Sequence, residues 1–260
     1  MTAATQATLI TGASAGIGAE LARILAASGE NLLLTARREE RLATLASDLR
    51  RAHGVRVETE TADLAQQAAP QALADKAKAL GLEVRTLVNN AGFGLGGAFA
   101  DGPLDRQMGM LAVNVSALTR LTGLFLPSML ARRGGGIINI ASVAAFQPGP
   151  YMGVYYATKA YVLSFSEALA QELRGSGVVV TTVCPGPTLS EFAEVAGLAS
   201  SRLMHHGAMT AHEVARQAIE GHRAGKRLVV TGAGNKLIPL ASRLLPRGLM
   251  LRIVAGVQRP

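Results

Sequence analysis

The stretch TGASAGIG, residues 11–18, decides the fold, because it joins an apolar run, ATLIT, to a helical pattern. Its glycines, Gly12, Gly16 and Gly18, permit a tight turn, a close approach of the backbone to a pyrophosphate, and close packing of helix on strand. The free N–H groups at the start of the helix favour a bound phosphate. The spacing differs from the common dinucleotide pattern, so an ordinary glycine turn between strand and helix is the alternative.

Apolar runs of strand length alternate with helical patterns along most of the chain. Seven runs predict strands at residues 7–11, 31–36, 55–60, 85–89, 136–141, 177–183 and 227–231. Helical patterns lie near residues 17–28, 38–52, 67–80, 104–132, 155–174 and 211–223. Unbroken apolar runs are typical of strands that are buried on both faces. We therefore predict an α/β fold, a Rossmann-like doubly wound parallel sheet with helices on both faces, whose ligands bind at the carboxyl ends of the strands.

The composition predicts a large buried core, because 49% of the 260 residues are hydrophobic and only 17% are charged. The single cysteine, Cys184, excludes an internal disulfide, and we expect it to be a buried and unreactive residue. The first ten residues lack the basic start and apolar stretch of a signal peptide. Residues 134–158 are uncharged but contain glycine and proline, so we expect no membrane-spanning helix there and a cytoplasmic protein.

The net charge of +8 is unevenly distributed along the chain. Residues 1–200 carry 16 basic and 16 acidic side chains, whereas residues 201–260 carry 10 and 2. The chain has no tryptophan and only four tyrosines, which leaves few rings on which nucleic-acid bases could stack. We therefore expect no nucleic-acid partner and assign the charge to the C-terminal part.

The second predicted strand ends in LLLTARREER, which bears on the choice of nucleotide. An acidic residue near this position binds the ribose 2′-hydroxyl of NAD, whereas an arginine suits the 2′-phosphate of NADP. Ala36 stands where that acid would be, and Arg37 and Arg38 follow it. The alternative is a solvated start to the next helix. We predict NADP(H) as the cofactor and favour Arg37, since it is nearer the end of the strand.

Polar residues also follow the third and fourth predicted strands. Asp63 lies in ADLA, and Asn89 to Gly92 form NNAG. Each motif alone is ordinary turn chemistry, because Asp, Asn and Gly all populate turns. Their regular placement after successive strands indicates a shared site.

The segment VYYATKA, residues 154–160, places Lys159 four residues after Tyr155 and three after Tyr156. On a helix, either tyrosine can lie near the lysine. A nearby ammonium group favours the phenolate, so we expect Lys159 to lower the pKa of its neighbour toward a value useful for proton transfer. Spacing does not choose between the tyrosines, and two aromatic residues packed on a helix are the alternative.

With these motifs in order, the chain resembles the short-chain dehydrogenase/reductase family, in its NADP-preferring type, over about residues 5–232. The family's Y-x-x-x-K motif falls on Tyr155 and Lys159, and its catalytic serine on Ser142, thirteen residues before Tyr155. Its helix asparagine falls on Asn114 in LAVNVSA. The resemblance thus implies Tyr155, and not Tyr156, as the catalytic residue.

The same resemblance implies an NADPH-dependent oxidoreductase that interconverts a carbonyl and an alcohol, with no metal. Tyr155 would give its proton to the carbonyl oxygen, Ser142 would hydrogen-bond that oxygen, and Lys159 and Asn114 would support the proton transfer. Further implied contacts to the cofactor come from Gly12, Ser14, Gly16, Ile17, Gly18, Arg37, Asp63, Leu64, Asn90, Ala91, Gly92, Tyr155, Lys159, Pro185, Gly186 and Thr188. A regulatory or scaffold protein that binds NADP without turnover is the alternative.

The segment LSEFAEVAGLASSRLMHHG, residues 189–207, corresponds to the family's variable lid over the substrate. Its apolar character favours a lipophilic carbonyl or alcohol substrate. His205 and His206 have no companions at metal-ligand spacing, so we assign them to the lid surface.

The chain is predicted to form one domain over residues 1–232, with a basic apolar extension over residues 233–260 that is not an independent domain. The extension contains KLIPLASRLLPRGLMLRIVAGV, in which proline and glycine divide runs too short to span a bilayer. Three interpretations remain open: packing on the protein's own core or a sister subunit, one wall of an apolar pocket, or peripheral contact with an anionic membrane. The helix at 104–132 is apolar nearly all round, which predicts burial on all sides and a homodimer or homotetramer.

Overall fold

Seven parallel strands form the central sheet of the protein, which a computed structural model describes over residues 5–197 and 208–258. In chain order the strands are β1 (Thr5–Thr11), β2 (Leu32–Ala36), β3 (Val57–Thr61), β4 (Leu82–Asn89), β5 (Gly135–Ile140), β6 (Val178–Cys184), β7 (Thr188–Leu189), β8 (Met209–Thr210) and β9 (Leu228–Val230). The sheet has the order β3-β2-β1-β4-β5-β6-β9, and β7 pairs with β8 in a separate two-stranded sheet. The predicted Rossmann-like doubly wound fold is confirmed.

Helices cover both faces of this sheet. They are α1 (Gly16–Ala27), α2 (Glu39–His53), α3 (Ala69–Ala79), α4 (Leu104–Leu111), α5 (Leu118–Ala131), α6 (Gly153–Glu172), α7 (Phe192–Val195), α8 (Ala211–Arg223), α9 (Leu237–Leu244) and α10 (Arg247–Gln258). Ile10 of β1 packs in one core with residues of α1, α2 and α8, whereas Leu9 packs in the other with residues of α3, α5 and α6. Successive side chains of a strand point to opposite faces, which is why β1 is buried at every position from Ala7 to Thr11.

The strand order places the first and fourth strands side by side. Ile10 of β1 lies opposite Leu34 of β2 on one side and Val88 of β4 on the other. The chain therefore winds outward through β2 and β3 and then returns to the other side of β1. The carboxyl ends of β1 and β4 meet at this change of direction, which is where doubly wound sheets bind ligands.

The predicted helix at residues 104–132 consists of α4, a π-helical turn over Ala112–Ala117, and α5. Over Leu104–Ala131 it is long and apolar enough to cross a membrane by length and composition alone. One side is buried in the fold, for example at Met110, whereas Met108 is 55% exposed on the other. The side that the single chain leaves exposed is the side that the predicted subunit contact would have to cover.

Sequence patterns did not predict the short β7–β8 pair or the two helices of the extension. The pair joins Thr188 to Met209 across the lid segment, and two-residue strands carry no periodicity to detect. His205 and His206, assigned to the lid surface, lie outside the described residues.

Candidate active site

A cleft of about 1380 Å³ lies at the carboxyl ends of the strands and gathers nearly all the predicted site residues. Its lining includes Gly12, Ser14, Gly16, Ile17, Arg37, Asp63, Leu64, Asn90, Ala91, Gly92, Ser142, Tyr155, Lys159, Pro185, Gly186 and Thr188. Gly18 and Asn114 do not line the cleft but lie directly behind residues that do. We call the part formed by residues 12–18, 90–92 and 185–188 the cofactor wall, and the part formed by α9 and α10 the tail wall.

Two glycines of the cofactor wall, Gly12 and Gly18, have no room for a side chain. Gly12 has a φ of 66°, and a Cβ there would lie 2.9 Å from the Cα of Ala91. A Cβ on Gly18 would lie 2.4 Å from the backbone oxygen of Gly12. Helix α1 begins at Gly16, so its unpaired first N–H groups face the cleft. This cradle of close backbone and free donors fits a pyrophosphate.

Thr11, which sequence reasoning did not single out, ties the NNAG segment to the glycine turn. Its Oγ1 accepts hydrogen bonds from the backbone N–H groups of Asn90 and Ala91, each at 3.0 Å. The Asn90 side chain in turn donates to the backbone oxygen of Thr11 at 2.9 Å. These contacts link positions nearly 80 residues apart, which no local motif could have predicted.

Arg38, rather than Arg37, contacts the glycine turn. The Arg38 guanidinium donates to Ser14 Oγ at 3.2 Å and pairs with the carboxylate of Glu191 at 2.6 Å. Arg41 pairs with the same carboxylate. Arg37 lines the cleft but is exposed and forms no ion pair with a described residue. The structure thus places the second arginine closer to the phosphate cradle than the one that strand position favoured.

Asp63 is exposed at the edge of the cleft, after β3, where its Oδ1 accepts a hydrogen bond from the Ala65 N–H at 3.0 Å. Leu64 beside it is buried. At the other end of the cofactor wall, the Thr188 hydroxyl donates to the Gly186 oxygen at 2.9 Å. Gly186 also has no room for a side chain, because a Cβ there would lie 2.2 Å from Nδ2 of Asn235.

The centre of the cleft brings Ser142, Tyr155 and Lys159 together. Ser142 caps a short 3-10 helix after β5, and its Oγ accepts from the Ala144 N–H at 3.1 Å. Tyr155 and Lys159 lie on α6 and are 8% and 5% exposed. The Lys159 Nζ is 5.8 Å from the centre of the Tyr155 ring and donates to the Ile140 oxygen at 2.8 Å. The tyrosine and the lysine therefore share one enclosed site.

The two adjacent tyrosines have different partners. Tyr155 is close to Phe192, at 5.3 Å between ring centres, and has Ser142 as its hydrogen-bonding neighbour. Tyr156 accepts a hydrogen bond from Gln258 at 2.8 Å, and its ring occupies the space beside Gly149. Only Tyr155 faces the serine that follows β5.

Burial dominates the ionisation of this site. Desolvation raises the pKa of Tyr155 above its ordinary value, and the hydrogen bond with Ser142 offsets this only in part. Burial also lowers the pKa of Lys159 to about 8. The prediction that Lys159 lowers the pKa of Tyr155 is therefore wrong for the protein groups alone. The lysine itself is desolvated, and its ammonium group contacts the Ile140 carbonyl instead of the phenol.

Asn114 lies behind the centre, in the π-helical turn of the long helix. Its side chain binds the backbone of Phe93 twice, accepting from N–H at 3.1 Å and donating to the oxygen at 3.0 Å. It also donates to Thr158 on α6 at 3.1 Å. A Cβ on Gly92 would lie 3.0 Å from Asn114 Oδ1 and 3.5 Å from Lys159 Nζ. Asn114 is therefore next to the lysine and fixes the loop after β4.

Helices α9 and α10 form the opposite side of the cleft. Met250 and Val254 are each 7% exposed and pack with Tyr155, Tyr156 and Met152. Gln258, one turn further along α10, contacts Tyr156. Three interpretations of the extension were open. The structure supports two of them for its inner side, which packs on the protein's own core and forms one wall of the apolar part of the cleft.

Cys184 ends β6 beside this site. It is fully buried, and desolvation raises the pKa of its thiol to about 12. The prediction of a buried cysteine is confirmed, and the raised pKa favours the protonated thiol, which is the unreactive form.

Sequence profiles and solved structures of known proteins match this chain closely. A profile described as short chain dehydrogenase matches residues 6–199. Sulfoacetaldehyde reductase 2 of Chromohalobacter salexigens is 41% identical over 189 residues, which cover 72% of this chain and 74% of that protein. A short-chain dehydrogenase from Sphingobium yanoikuyae in complex with NADPH is 34% identical, with a TM-score of 0.82 and 95% of each chain covered. A short chain dehydrogenase/reductase from Burkholderia phymatum in complex with NAD is 29% identical, with a TM-score of 0.82 and 94% of each chain covered.

Proposed function

The chain belongs to the short-chain dehydrogenase family, and we propose that it is an NADPH-dependent oxidoreductase that reduces a lipophilic carbonyl compound to an alcohol, and the reverse. One observation carries the proposal: Ser142, Tyr155 and Lys159 meet in the same cleft as the glycine cradle. Similarity to a reductase supports the reaction class. NADPH in one similar structure and NAD in another leave the nucleotide to be argued from this chain's own residues.

The cofactor wall would hold the nucleotide. The glycine turn and the start of α1 would bind the pyrophosphate, Asp63 and Leu64 would border the adenine, and Arg38 with Arg37 and Ser14 would bind a 2′-phosphate. At the other end, Pro185, Gly186 and Thr188 would border the nicotinamide. An alanine at the end of β2, where an acidic residue would bind the ribose of NAD, followed by two arginines, supports NADP(H) over NAD(H). The bound cofactor supplies the hydride.

Tyr155 would donate a proton to the carbonyl oxygen of the substrate. Burial raises its pKa, so the phenol keeps its proton near neutrality, which is the form that carbonyl reduction requires. Ser142 would hydrogen-bond the same oxygen and stabilise the charge that develops on it. The two hydroxyl groups are positioned by different elements, the loop after β5 and helix α6, which converge at the end of the sheet.

Lys159 and Asn114 would return a proton to Tyr155. The Lys159 pKa of about 8 leaves the amine mostly protonated at neutral pH but able to exchange protons readily. Asn114 lies next to it and is fixed by three hydrogen bonds, so its position is well defined. Without this route, each turnover would leave an anionic phenolate in a buried site.

The substrate half of the cleft is apolar, which supports a lipophilic substrate. Beyond Tyr155, the lining consists chiefly of methionine, aromatic and aliphatic side chains: Phe93, Met152, Phe192, Met250, Ile253, Val254 and Val257. Such a surface favours apolar groups on both sides of the carbonyl. A sugar phosphate would find few polar partners there.

The adjacent tyrosines provide a matched test of the reaction. Tyr155→Phe should lower kcat/KM for a carbonyl panel by about a thousandfold, because the proton donor is lost. Tyr156→Phe, which removes the neighbouring hydroxyl of the same helix, should change kcat/KM by less than about tenfold. NADPH binding, followed by fluorescence titration, should survive in both. If Tyr155→Phe reduces the substrates at the normal rate, the proposed mechanism is wrong. If the wild type binds NADPH but reduces none of them, the alternative of a non-catalytic NADP-binding protein is favoured.

We further propose that the protein is a cytoplasmic homodimer or homotetramer, with residues 1–232 as its one domain. The exposed apolar residues on α4 and α5, namely Leu104, Met108, Leu111, Leu124 and Leu130, support association through this helix. Light scattering at micromolar concentration should give a multiple of the 26.9 kDa chain mass. A monomeric mass would refute the proposed assembly but would leave the proposed reaction unaffected.

A further inference from the structure

Each of the two helices of the extension carries an exposed apolar stripe. Leu237, Leu240 and Leu244 of α9 are 66%, 54% and 72% exposed. Leu249, Ile253 and Val257 of α10 are 45%, 46% and 45% exposed. Spacings of three or four residues place each set along one side of its helix. We call these six side chains the tail face. An apolar surface of this kind on a soluble protein normally marks a contact site.

The helices that carry the tail face also carry positive charge. From residue 221 to residue 258 the sequence contains no acidic side chain. Lys236, Arg243, Arg247 and Arg252 lie on or beside the two helices, are all exposed, and form no ion pair with any described residue. Elsewhere in the described chain about half of the exposed arginines form an ion pair, as Arg216 does with Glu220. The extension therefore combines exposed apolar groups with cations that lack anions.

We propose that the tail face docks on the surface of an anionic phospholipid bilayer. Its leucines would enter the boundary between headgroups and acyl chains, and the four cations would bind the lipid phosphates. The helices have 8 and 12 residues, so they lie on a membrane and do not cross it. The membrane is the occupant whose chemistry matches both halves of this surface.

A second copy of the chain fits the tail face less well. A two-fold contact brings the same patch of both subunits together. Each patch carries four cations and the extension offers no carboxylate to pair with them, so the contact would place like charges against each other. The exposed apolar side of α4 and α5 has no such excess and is the better surface for self-association.

The cleft opens next to the tail face. Ile253 and Val257 belong to both, since they line the cleft and are nearly half exposed. Met250 and Val254 directly follow Leu249 and Ile253 in the sequence. They face inward and pack against Tyr155 and Tyr156. If the proposed reaction holds, a lipophilic substrate dissolved in the bilayer would enter the cleft across this apolar rim. The docking itself does not depend on the reaction.

Vesicle co-sedimentation of the full chain tests the docking. Wild type should bind phosphatidylcholine vesicles that contain phosphatidylglycerol far better than phosphatidylcholine alone. Replacing Arg243, Arg247 and Arg252 by Gln should weaken binding about a hundredfold, at about fivefold for each cation. Replacing Arg120, Arg133 and Arg174 by Gln, three exposed arginines outside the extension, should have no comparable effect.

A second set of variants tests the apolar part. The triple change Leu240→Ser, Leu244→Ser and Leu249→Ser should abolish sedimentation, whereas Phe99→Ser with Leu189→Ser, two exposed apolar residues outside both the extension and the long helix, should not. The proposal is overturned if wild type does not bind anionic vesicles, or if both members of either pair of variants bind alike. It is also overturned if the leucine variant turns an oligomer into a monomer, because the tail face would then be a subunit interface. NADPH titration of each variant confirms folding independently of catalysis.

Discussion

The cofactor wall and the tail wall face each other across one cleft but are built in opposite ways. The cofactor wall depends on backbone positions that do not tolerate a side chain. Gly12 has a positive φ, and Gly18 lies against the backbone oxygen of Gly12. The tail wall consists of ordinary apolar side chains on two short helices, Met250 and Val254 among them. A ligand with fixed geometry needs the first kind of surface, and a variable apolar substrate needs only the second. Substitutions should therefore act differently on the two walls.

The largest effect should follow from Gly18→Ala. The added methyl group would lie 2.4 Å from a backbone oxygen, which cannot move without distorting the glycine turn. We expect NADPH affinity to fall by about a hundredfold, consistent with an overpacking strain of about 3 kcal/mol. Fluorescence titration measures this loss.

Gly123→Ala is the matched control, because a Cβ there meets nothing within 4 Å. It should leave NADPH affinity unchanged and hold or slightly raise the melting temperature, since alanine is the better helix former. If Gly18→Ala binds NADPH as tightly as wild type does, the cofactor wall accepts substitutions as readily as the tail wall, and the proposed difference between the two walls is wrong.

The next effect concerns the scaffold beneath the cofactor wall, where His222 of α8 is packed on β5 and β6. Its Nδ1 lies 2.9 Å from the Thr181 hydroxyl, and burial lowers the pKa of its imidazole to about 4 from an ordinary value of 6.5. The neutral form is favoured on folding, so this stabilisation is complete above pH 6.5 and is lost as the pH falls toward 4. We expect a loss of about 2 kcal/mol at pH 5 from this group.

Urea unfolding at pH 7 and pH 5 measures this dependence. The control is His53→Gln, since His53 is exposed at the end of α2. It should keep the full loss between the two pH values, whereas His222→Gln should show a smaller one. If His222→Gln retains the whole dependence, carboxylate groups and not the buried imidazole control acid stability.

A smaller effect is expected in the tail wall, where neighbouring residues face opposite ways. Met250→Ala should raise KM for a bulky apolar ketone by about tenfold, because about 1.4 kcal/mol of apolar contact is lost, and should leave NADPH affinity unchanged. Leu249→Ala, on the outer side and 45% exposed, should leave both unchanged. Steady-state kinetics on a ketone series of graded size provides the measurement. A shift in NADPH affinity with Met250→Ala would mean that the two walls are coupled.

The smallest effect should come from Glu191, which crosses the cleft to pair with Arg38 and Arg41. Its carboxylate competes with a 2′-phosphate for the same guanidinium groups. Glu191→Gln should therefore tighten NADPH binding by about fivefold, in line with about 1 kcal/mol for an exposed charge pair, and leave NADH unchanged. Calorimetric titration measures both.

Glu194→Gln, three residues further along the chain and exposed, is the matched charge change and should affect neither nucleotide. Weaker NADPH binding in Glu191→Gln would show that the carboxylate positions the arginines and does not compete with phosphate. If the wild type clearly prefers NADH, the proposal that these arginines bind the 2′-phosphate is wrong.

Most of the cofactor wall could be predicted from the sequence. Gly12 and Gly18 contact each other within one short stretch, so their spacing reflects a local turn. The seven strands were also predictable, because strands covered by helices on both faces are apolar at consecutive positions. Tyr155 and Lys159 were visible as a motif, although spacing alone did not separate Tyr155 from Tyr156.

Other features depend on contacts between distant parts of the chain. The partner that distinguishes Tyr156 is Gln258, 102 residues away. The direction of the Tyr155 pKa depends on burial, which no motif reports, and for this reason the prediction of a lowered value was wrong. Arg38 contacts Ser14 and Glu191 because the loop after β2, the glycine turn and α7 converge, whereas proximity to the strand end favoured Arg37.

The sequence by itself determined the parallel sheet, the glycine turn and the side chains proposed to react, because each depends on the chemistry of neighbouring residues and on short spacings. Only the tertiary structure decided how buried the reactive phenol is, which tyrosine faces Ser142, and which side of the extension lines the cleft. These properties depend on the solvent and groups around a residue. That environment is set by segments that meet only when the chain has folded.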